Sequence, residues 1–593
     1  EGRSTMASTD ETATSEGGGG APPPKRQPGW VRPAKRYGPI VVVLAIIGAA
    51  VLAFGGGGDD GDDEAATDGA SASEEELIAS GPMTWQKAEL EGETDSIEWG
   101  PNCDTETGKL KLVSVYAPPC VEPFEGDNGG ATSPGVTADT VKVVEYIADP
   151  ALDPLTTAFA AGAGAEIDPE SAAETVQGFA DLYNRLYETY GRRVEIEVYT
   201  GTGAGADLEA ARADAIAIAE KEPFIVVGGP GQAGPVFATE LASRGIVCAS
   251  FCATAVPEEI VEQYQPYIWQ STPTPDQAAA LSAEMIGKLA GPGQAELAGD
   301  DATRAQDRVY GLLHYDNPDG DHQAVFEALR DQLADNGIEL ATDIEFDLDL
   351  AHAQENARTN ITRLKEAGVT TIIYSGDPLT PASLTAEATA QDYHPEWLLG
   401  PNLFMDTSLF ARQTDTEQWK NGFGISFVSA RGALATDGAF RIWDWAYGGP
   451  PPNSNANVLN AGMLLTVFPG IHLAGPDLTP ETFRDGLYRY PPSGGGPTQA
   501  EVSRGDHGIW PDADFGAGDD ATIVWFDPTV RGPDEVGNEG VGLYRYANGA
   551  QRYRLGGFPD TVEEAGLFDN ASSVTIFDEL PAEDDTPDYP LPE

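Results

Sequence analysis

The densest group of titratable side chains follows a short apolar run and has the residue types of a metal or proton-transfer site. The group comprises His314, Asp316, Asp319, Asp321 and His322. Pro318 occupies a position that an EF-hand loop gives to a calcium ligand, so the stretch does not fit that loop. Acidic residues just before a helix more often cap its first turn. We therefore predict a helix start here rather than a catalytic or metal centre.

Motifs of common enzyme classes are not found along the chain. The sequence has neither the Gly-x-Ser-x-Gly turn of serine hydrolases nor the His-Glu-x-x-His pair of zinc proteases. The stretch 228–234 (GGPGQAG) lacks the Lys-Ser/Thr ending of a P-loop and the Gly-x-Gly-x-x-Gly spacing of a dinucleotide site. We predict that the chain is not an enzyme and uses no metal or cofactor.

Small residues follow several predicted strands, where they would let a ligand approach the main chain. These loops are 228–234, 250–254 (SFCAT), 375–377 and 401–402. The helices that follow such loops present free amide groups to an anion such as a carboxylate. An ordinary turn between a strand and a helix uses the same residues, so each loop taken alone also fits a plain chain reversal.

Four cysteines suggest two disulfides, and four cysteines allow three pairings. Proximity in sequence favours Cys103 with Cys120 and Cys248 with Cys252. The first pair would close a small hairpin, in which a cross-link can replace a core. The second pair cannot bridge an extended chain, so residues 250–252 must turn. A zinc site is the alternative use of these thiols, but no histidine lies near them in sequence.

The elements that carry these loops alternate between β-branched apolar runs and amphipathic helical runs. This order predicts parallel sheets with helices on both faces, whose ligands bind at the carboxyl ends of the strands. Strands are predicted at 141–147, 194–199, 223–229, 246–250, 308–315, 339–346 and 369–376. Helices are predicted at 170–191, 206–221, 236–245, 276–291, 322–337 and 357–368.

Length and charge limit the organisation and the partners. A chain of 593 residues exceeds what one hydrophobic core supports, so it contains more than one domain. With 34 basic and 96 acidic residues the net charge is −62, which excludes nucleic acid and anionic lipid as partners of most of the chain. Hydrophobic residues make up 41% of the sequence, which is enough for a folded protein.

An apolar run near the amino terminus predicts one transmembrane helix at 39–58. Residues 40–54 carry no charged or hydrogen-bonding side chain, and with their flanks they approach the ~20 residues that span a bilayer. Basic residues precede the run and acidic residues follow it, which places the amino terminus in the cytoplasm and the rest outside. A cleaved signal peptide and a buried core helix are the alternatives.

A series of segments in a particular order then resembles a known family. The segments are 135–149 (GVTADTVKVVEYIAD), 224–260, 267–277 (YIWQSTPTPDQ), 311–340, 360–377 (NITRLKEAGVTTIIYSGD), 397–404 (WLLGPNLF), 475–487 (GPDLTPETFRDGL) and 523–530 (IVWFDPTV). Their order resembles the type I periplasmic binding proteins, specifically the branched-chain amino-acid group of ABC importers. The cysteine segment 103–120 and the stretch GVGLYRYANGAQRY resemble an actinobacterial branch of this group.

The resemblance implies an α/β fold of two Rossmann-like lobes with parallel sheets, joined by a three-segment hinge that closes around a solute. It places the first two crossings near 271–274 and 426–430. The loops of one lobe would hold a solute carboxylate, and those of the other would meet its ammonium or polar end. The ligand-binding residues that it implies are Gln232, Ala233, Gly234, Ser250, Cys252, Ala253 and Thr254 in the first lobe, and Asp377 and Asn402 in the second.

Departures from the family pattern leave the identity of the solute undetermined. Many relatives carry an aromatic residue after the glycine that precedes Asp377, an acid where Asn402 stands, and a Tyr-Gly pair near Asp319. The Gly-, Pro- and Asp-rich stretch 491–520 is an insertion, which we predict to be a surface loop, with a lid as the alternative.

These observations predict a membrane-anchored extracellular protein that captures a small polar solute and delivers it to the permease and ATPase subunits of an ABC importer. The alternative is an extracellular ligand-sensing receptor on the same fold. The predicted parts are a cytoplasmic tail (1–38), the transmembrane helix (39–58), an acidic linker (59–95), a disulfide-stapled extension (96–135), lobe 1 (136–272 and 428–500), lobe 2 (273–427 and 501–580) and an acidic tail (581–593).

Overall fold

The computed structural model describes residues 74–152, 168–253, 256–315, 323–346, 352–401, 404–453, 457–535 and 537–591. The predicted cytoplasmic tail and transmembrane helix lie outside these residues, as does the first part of the acidic linker. None of the helices in the described ranges is long and apolar enough to cross a bilayer.

Five parallel strands form the first sheet, in the order β4-β3-β5-β6-β7. Their bounds are β3 Thr140–Ile147, β4 Arg193–Thr200, β5 Ile225–Val227, β6 Val247–Ala249 and β7 Ile268–Trp269. Val141, Val143 and Val144 of the interior strand β3 are fully buried, as expected for a parallel strand that is covered on both faces. The strands predicted for this part of the chain are confirmed.

Helices from two separate stretches of the chain cover this sheet. They are α3 Pro169–Leu186, α4 Leu208–Ala219, α5 Gly234–Ala242 and α6 Glu258–Gln263, and later α14 Gly438–Tyr447, α15 Asn457–Ala474 and α16 Pro480–Tyr488. Phe179 of α3 contacts Trp443 of α14, and Tyr183 of α3 contacts Phe468 of α15. We call the sheet β3–β7 with these helices lobe 1.

Lobe 2 is built on the second sheet, in the order β14-β13-β12-β11-β10-β8-β9, with β15 paired to β13. Strands β8 to β12 are parallel, whereas β13 is antiparallel to both of its neighbours β12 and β14. The strands are β8 Tyr310–Tyr315, β9 Leu340–Phe346, β10 Thr371–Ser375, β11 Glu396–Leu399, β12 Phe423–Ser426, β13 Ala521–Pro533, β14 Glu539–Tyr546 and β15 Arg552–Tyr553. The helices are α7 Pro275–Leu289, α8 Asp301–Arg304, α9 Gln323–Asp335, α10 Ala353–Glu366, α11 Thr380–Ala390, α12 Ser408–Ala411 and α13 Thr416–Trp419.

The chain passes between the two sheets in three connections. The first (270–274) joins β7 to α7, the second (427–437) joins β12 to α14, and the third (489–520) joins α16 to β13. The first ends sharply because Thr274 caps α7: its hydroxyl accepts from the Gln277 amide at 3.2 Å, while Gln277 Oε1 accepts from the Thr274 amide at 2.8 Å.

The third connection differs from the predicted surface loop. It contains buried charged residues, among them Arg504 (6% exposed), Asp514 (1%) and Asp519 (0%). It also binds the first connection, because the Ala517 amide donates to Thr272 O at 3.2 Å. The stretch 491–520 is therefore a partly buried link between the lobes, and the prediction of a surface loop was wrong.

The amino-terminal extension packs on lobe 1. Its elements are α1 Glu74–Ser80, α2 Trp85–Glu91, β1 Cys103–Asp104 and β2 Lys109–Leu110, so the prediction that residues 74–95 belong to the acidic linker was wrong and these residues are part of the folded extension. Arg489, which follows α16, donates from Nε to Leu77 O at 2.8 Å, and Asn102 donates from Nδ2 to Arg185 O at 2.8 Å. The predicted disulfides Cys103–Cys120 and Cys248–Cys252 are both formed.

Candidate functional site between the two sheets

The carboxyl edges of the two sheets adjoin because the connections leave from them. The first connection begins after the last residue of β7 and ends at α7. Because α7 leads into the parallel strand β8, α7 begins at the carboxyl edge of the lobe 2 sheet. Its five residues span at most about 18 Å. The second connection leaves from the carboxyl end of β12. Ligands of parallel sheets bind at this edge, so the loops there are the candidate site.

In lobe 1 the loop after β5 packs directly against the loop after β6. Gly228 has φ +70°, and a Cβ added there would lie 2.4 Å from Tyr146 O, so this position requires glycine. A Cβ added at Gly229 would lie 3.0 Å from Phe251 O. Gln232 is half-buried in the short helix Gly231–Ala233, and α5 begins at Gly234. The 228–229 turn therefore lies against residues 251–252, and a common solute contact for 232–234 and 250–253 stays a prediction.

The loop after β6 is fixed by a cross-link and by α15. The short helix Ser250–Cys252 makes the turn that the Cys248–Cys252 disulfide requires. Ser250 has φ +58° and is fully buried, and its hydroxyl donates to Met463 O at 3.0 Å. Cys252 and Ala253 are also buried. The side chains of Ser250, Cys252 and Ala253 thus face the protein interior.

A buried carboxylate organises the ends of β3 and β4. Asp214 of α4 accepts hydrogen bonds from Tyr146 Oη at 3.2 Å and Tyr199 Oη at 2.8 Å. It also accepts from the Thr202 amide at 2.9 Å and the Thr202 hydroxyl at 2.7 Å. Sequence reasoning missed Asp214, although an acid amid the apolar residues of ADAIAIA was a usable signal.

Glu145 is a second buried acid that sequence reasoning missed. It lies near the carboxyl end of β3 and is 1% exposed. Within the described ranges no group donates a hydrogen bond to its Oε2. Burial raises the pKa of Glu145 to about 7, because a charged carboxylate is poorly solvated there.

In lobe 2 the side chain of the predicted ligand Asp377 bonds to the start of the helix that follows it, α11. Oδ1 accepts from the amides of Leu379 and Thr380, both at 2.8 Å, at the start of α11. Tyr374 Oη donates to the main-chain oxygen of Asp377 at 2.6 Å. The residue is fully buried, and burial raises the pKa of its carboxyl group above the ordinary value. Asp377 therefore holds the shape of the loop after β10.

A further acid at the carboxyl edge of lobe 2 had not been predicted. Asp406 follows β11 and accepts from the hydroxyl of Ser426, the last residue of β12, at 2.5 Å. Burial raises the pKa of Asp406 to about 6, and the nearby Glu535 adds to the rise. Glu535 itself accepts from the amides of Ser408 and Leu409 at 2.9 and 2.8 Å.

Aromatic side chains lie at the ends of three neighbouring strands of lobe 2. Phe346 at the end of β9 stacks on Tyr374 of β10 with ring centroids 6.0 Å apart, and it contacts Tyr315 of β8 at 6.1 Å. A Cβ added at Gly376 would lie 3.1 Å from both the Phe346 ring and Tyr374 Oη. Tyr315, Phe346 and Tyr374 are all buried, so these rings belong to the core of lobe 2.

The titratable group at 314–322 is only partly described. His314 is buried on β8, with Nε2 3.0 Å from Asp343 Oδ1, and Arg330 of α9 bonds the same carboxylate. Helix α9 begins at Gln323, where a helix start was predicted. Residues 316–322 lie outside the described ranges, as do the predicted ligands Thr254 and Asn402. Among the described residues no group of three His, Cys, Asp or Glu is arranged to hold a metal ion.

Solved structures with a similar course of the chain are solute-binding proteins, at low identity. A type 1 periplasmic binding protein from Bordetella pertussis Tohama I is 13% identical, with 66% of this chain and 97% of that chain covered and a TM-score of 0.44. The branched-chain amino acid binding protein LivJ of Streptococcus pneumoniae, in complex with isoleucine, is 13% identical, covers 69% and 100%, and has a TM-score of 0.43.

A fatty acid ABC transporter substrate-binding protein from Thermomonospora curvata is 14% identical, with coverage of 73% and 100% and a TM-score of 0.44. No protein-family profile matches the sequence, and no curated protein matches it. Likenesses of this size assign neither a family nor a solute to this chain.

Proposed function

We propose that this protein is an extracellular, membrane-tethered solute-binding protein that holds a small polar solute between its two lobes and delivers it to an ABC-type importer. The observation that carries this proposal is the topology of the connections. Strands β7 and β12 lead at their carboxyl ends into connections between the lobes, and loops of small residues follow the parallel strands of each sheet at this edge. Such an edge is the ordinary ligand site of a parallel sheet, and the connections would act as the hinge for closure.

The described loops favour binding over catalysis. In lobe 1 the 228–234 loop packs against the 250–253 loop. Among the predicted ligands in these two loops, Gln232 is the one whose side chain is both polar and partly exposed. The amino terminus of α5 suits a carboxylate group of the solute through the helix dipole, since the Gly234 amide already donates to Gly231 O and Pro235 has no N–H. In lobe 2 we assign Asp377 to positioning the loop after β10, and Asn402 to contacting the polar end of the solute.

For this function, solute binding must shift the two lobes towards a closed state. A solute that contacts both lobes binds the closed state more tightly than the open one and therefore increases its population. The closed form is then what a permease would recognise. The predicted transmembrane helix and acidic linker would keep the binding domain at the outer membrane surface.

A thermal-shift screen of the full chain against amino acids, amides, aromatic acids and fatty acids tests the proposal. A ligand of the folded state at a hundred times its Kd stabilises the protein by about 2.7 kcal/mol and raises Tm. Gln232→Ala should reduce the shift, whereas Gln177→Ala on the exposed face of α3 should not. Chemical conversion of a bound solute by the purified protein would contradict a pure binding role.

A further inference from the structure

The last described segment of the chain, residues 574–591, crosses from lobe 2 to lobe 1. Its last part lies in the predicted acidic tail, 581–593. In the structure its start belongs to lobe 2, because the Val574 amide donates to Tyr546 O of β14 at 3.0 Å and the Tyr546 amide donates to Val574 O at 2.7 Å. We call residues 574–591 the strap.

The middle of the strap binds two of the three connections. The Phe577 amide donates to Arg431 O and the Ala433 amide donates to Phe577 O, both at 2.8 Å, so the strap pairs with the second connection. Asp584 Oδ2 accepts from the amide and the hydroxyl of Thr498 in the third connection, both at 2.7 Å. Asp584 is 1% exposed, so this anchor is buried.

The end of the strap is fastened to lobe 1 and to the amino-terminal extension. Arg441 of α14 donates from Nη2 to Thr586 Oγ1 at 3.0 Å, and Trp445 of the same helix donates from Nε1 to Tyr589 O at 2.8 Å. Tyr589 Oη donates to Asp104 Oδ2, next to the Cys103–Cys120 disulfide, at 2.9 Å. One continuous segment is therefore bonded to lobe 2, to the connections and to lobe 1.

We propose that the strap is a fourth interlobe connection that restrains the opening of the lobes. When the lobes separate about the three connections, the strap must release its anchor at Val574, its anchor at Asp584 or its anchors on α14. Each release removes hydrogen bonds, of which those of Asp584 are buried, so an intact strap disfavours wide opening and increases the closed population. Because apparent affinity scales with the population of the binding-competent state, the strap also tightens solute binding. This inference rests on the proposed movement of the lobes but not on the identity of the solute.

Gly496 shows how closely the third connection fits the strap. A Cβ added at Gly496 would lie 1.9 Å from Asp584 Oδ1 and 2.6 Å from its carboxyl carbon. Gly496→Ala should therefore displace the buried anchor while leaving the two sheets intact. Asp584→Asn keeps an oxygen that can accept from Thr498, and it serves as the conservative control.

Severing the strap in the folded protein tests the proposal. A protease recognition sequence is inserted between Asp578 and Glu579 of the full chain, and fluorescent labels are placed through Ile216→Cys on lobe 1 and Val541→Cys on lobe 2, which are 40% and 49% exposed. The distribution of the distance between the labels is measured without solute before and after cleavage, so the uncut protein is the matched control. We expect cleavage to increase the mean distance and broaden the distribution.

An unchanged distance distribution after cleavage overturns the proposal. Gly496→Ala in uncut protein should broaden the distribution in the same direction, and Asp584→Asn should do so less. If cleavage unfolds the protein, the uncut Gly496→Ala variant is compared with the parent instead. Identical distance distributions of the two then overturn the proposal that the strap restrains opening. For any solute found by the screen, cleavage should raise Kd at least about threefold. The distances are measured in solute-free protein, so they stand even if the proposed solute binding fails.

Discussion

Asp377 has the residue type and position of a ligand for a solute ammonium group, yet its carboxylate caps α11. Because asparagine can accept the same two amide hydrogen bonds, we expect Asp377→Asn to leave the solute Kd within about threefold of the parent value. Asp377→Ala removes the cap, which costs about 1 kcal/mol of folding stability, and it should lower both Tm and affinity. Calorimetric titration and thermal denaturation of the two variants provide the comparison.

The asparagine variant distinguishes positioning from direct contact. If Asp377 binds a cationic group of the solute, loss of its charge should raise Kd at least about tenfold without lowering Tm. That result would contradict the positioning role that we assign to Asp377.

Glu145 should make stability depend on pH between about 4.5 and 7. Burial raises the pKa of the folded-state carboxyl group to about 7 from an ordinary value of 4.5. The folded state therefore binds the proton more tightly, and the stability contributed by Glu145 is full below pH 4.5 and is lost as pH rises through 7. Glu145→Gln should become more stable relative to the parent over this range, by up to about 3 kcal/mol.

Urea denaturation at pH 4.5, 6 and 8 measures this difference. Glu195→Gln, at an exposed position of the neighbouring strand β4, is the matched control and should show no such trend. A difference between Glu145→Gln and the parent that stays constant with pH would show that Glu145 does not titrate in this range.

At the scale of elements, the two disulfides have separate roles. The loop-entropy relation gives about 3 kcal/mol for the 17-residue separation of Cys103–Cys120 and about 2 kcal/mol for the 4-residue separation of Cys248–Cys252. Replacing each pair by alanines should therefore cost more stability at the first site. Only the second pair fixes a loop of the candidate site, so only its removal should weaken solute binding.

Denaturation and binding curves of the two double variants test this assignment, and each variant is the control for the other. Equal losses of affinity in both variants would mean that the effect on binding is a general loss of stability. Unchanged affinity without Cys248–Cys252 would remove that loop from the site.

The alternating elements of both lobes were predictable because each carries its signal locally. The apolar run 141–147 and the helical run 170–191 correspond to β3 and α3 with shifts of a few residues. The turn at Ser250–Cys252 followed from the spacing of two cysteines. Periodicity and short-range covalent geometry were sufficient for these features.

The features that were missed depend on partners far away in the chain. Asp584 and Thr498 are 86 positions apart, and neither segment shows a helical or strand period. The stretch 491–520 has the composition of a loop, but Arg504, Asp514 and Asp519 are buried, and Arg504 donates to Gln270 O of the first connection and to Thr466 Oγ1 of α15. The inward orientation of Asp377 depends on the start of α11, a helix that was not predicted.

At the scale of the whole molecule, a net charge of −62 should make the folded state sensitive to salt. Like charges repel more strongly in the compact state than in the unfolded chain, and salt screens them, with a Debye length near ~10 Å at 0.1 M. We expect Tm to rise between 0.02 and 0.5 M NaCl by at least the ~2–4 °C that 1 kcal/mol gives in a mid-sized domain. A falling Tm would show that ion pairs outweigh the general repulsion.

Hydrogen exchange of the full chain with and without a solute from the screen tests whether the solute binds between the two lobes. We expect slower exchange at 228–234 and 250–253 of lobe 1 together with 375–377 and 400–401 of lobe 2, because a solute held between the strand ends protects both lobes at once. Protection of one lobe alone, or of surfaces away from these four loops, would contradict binding between the lobes.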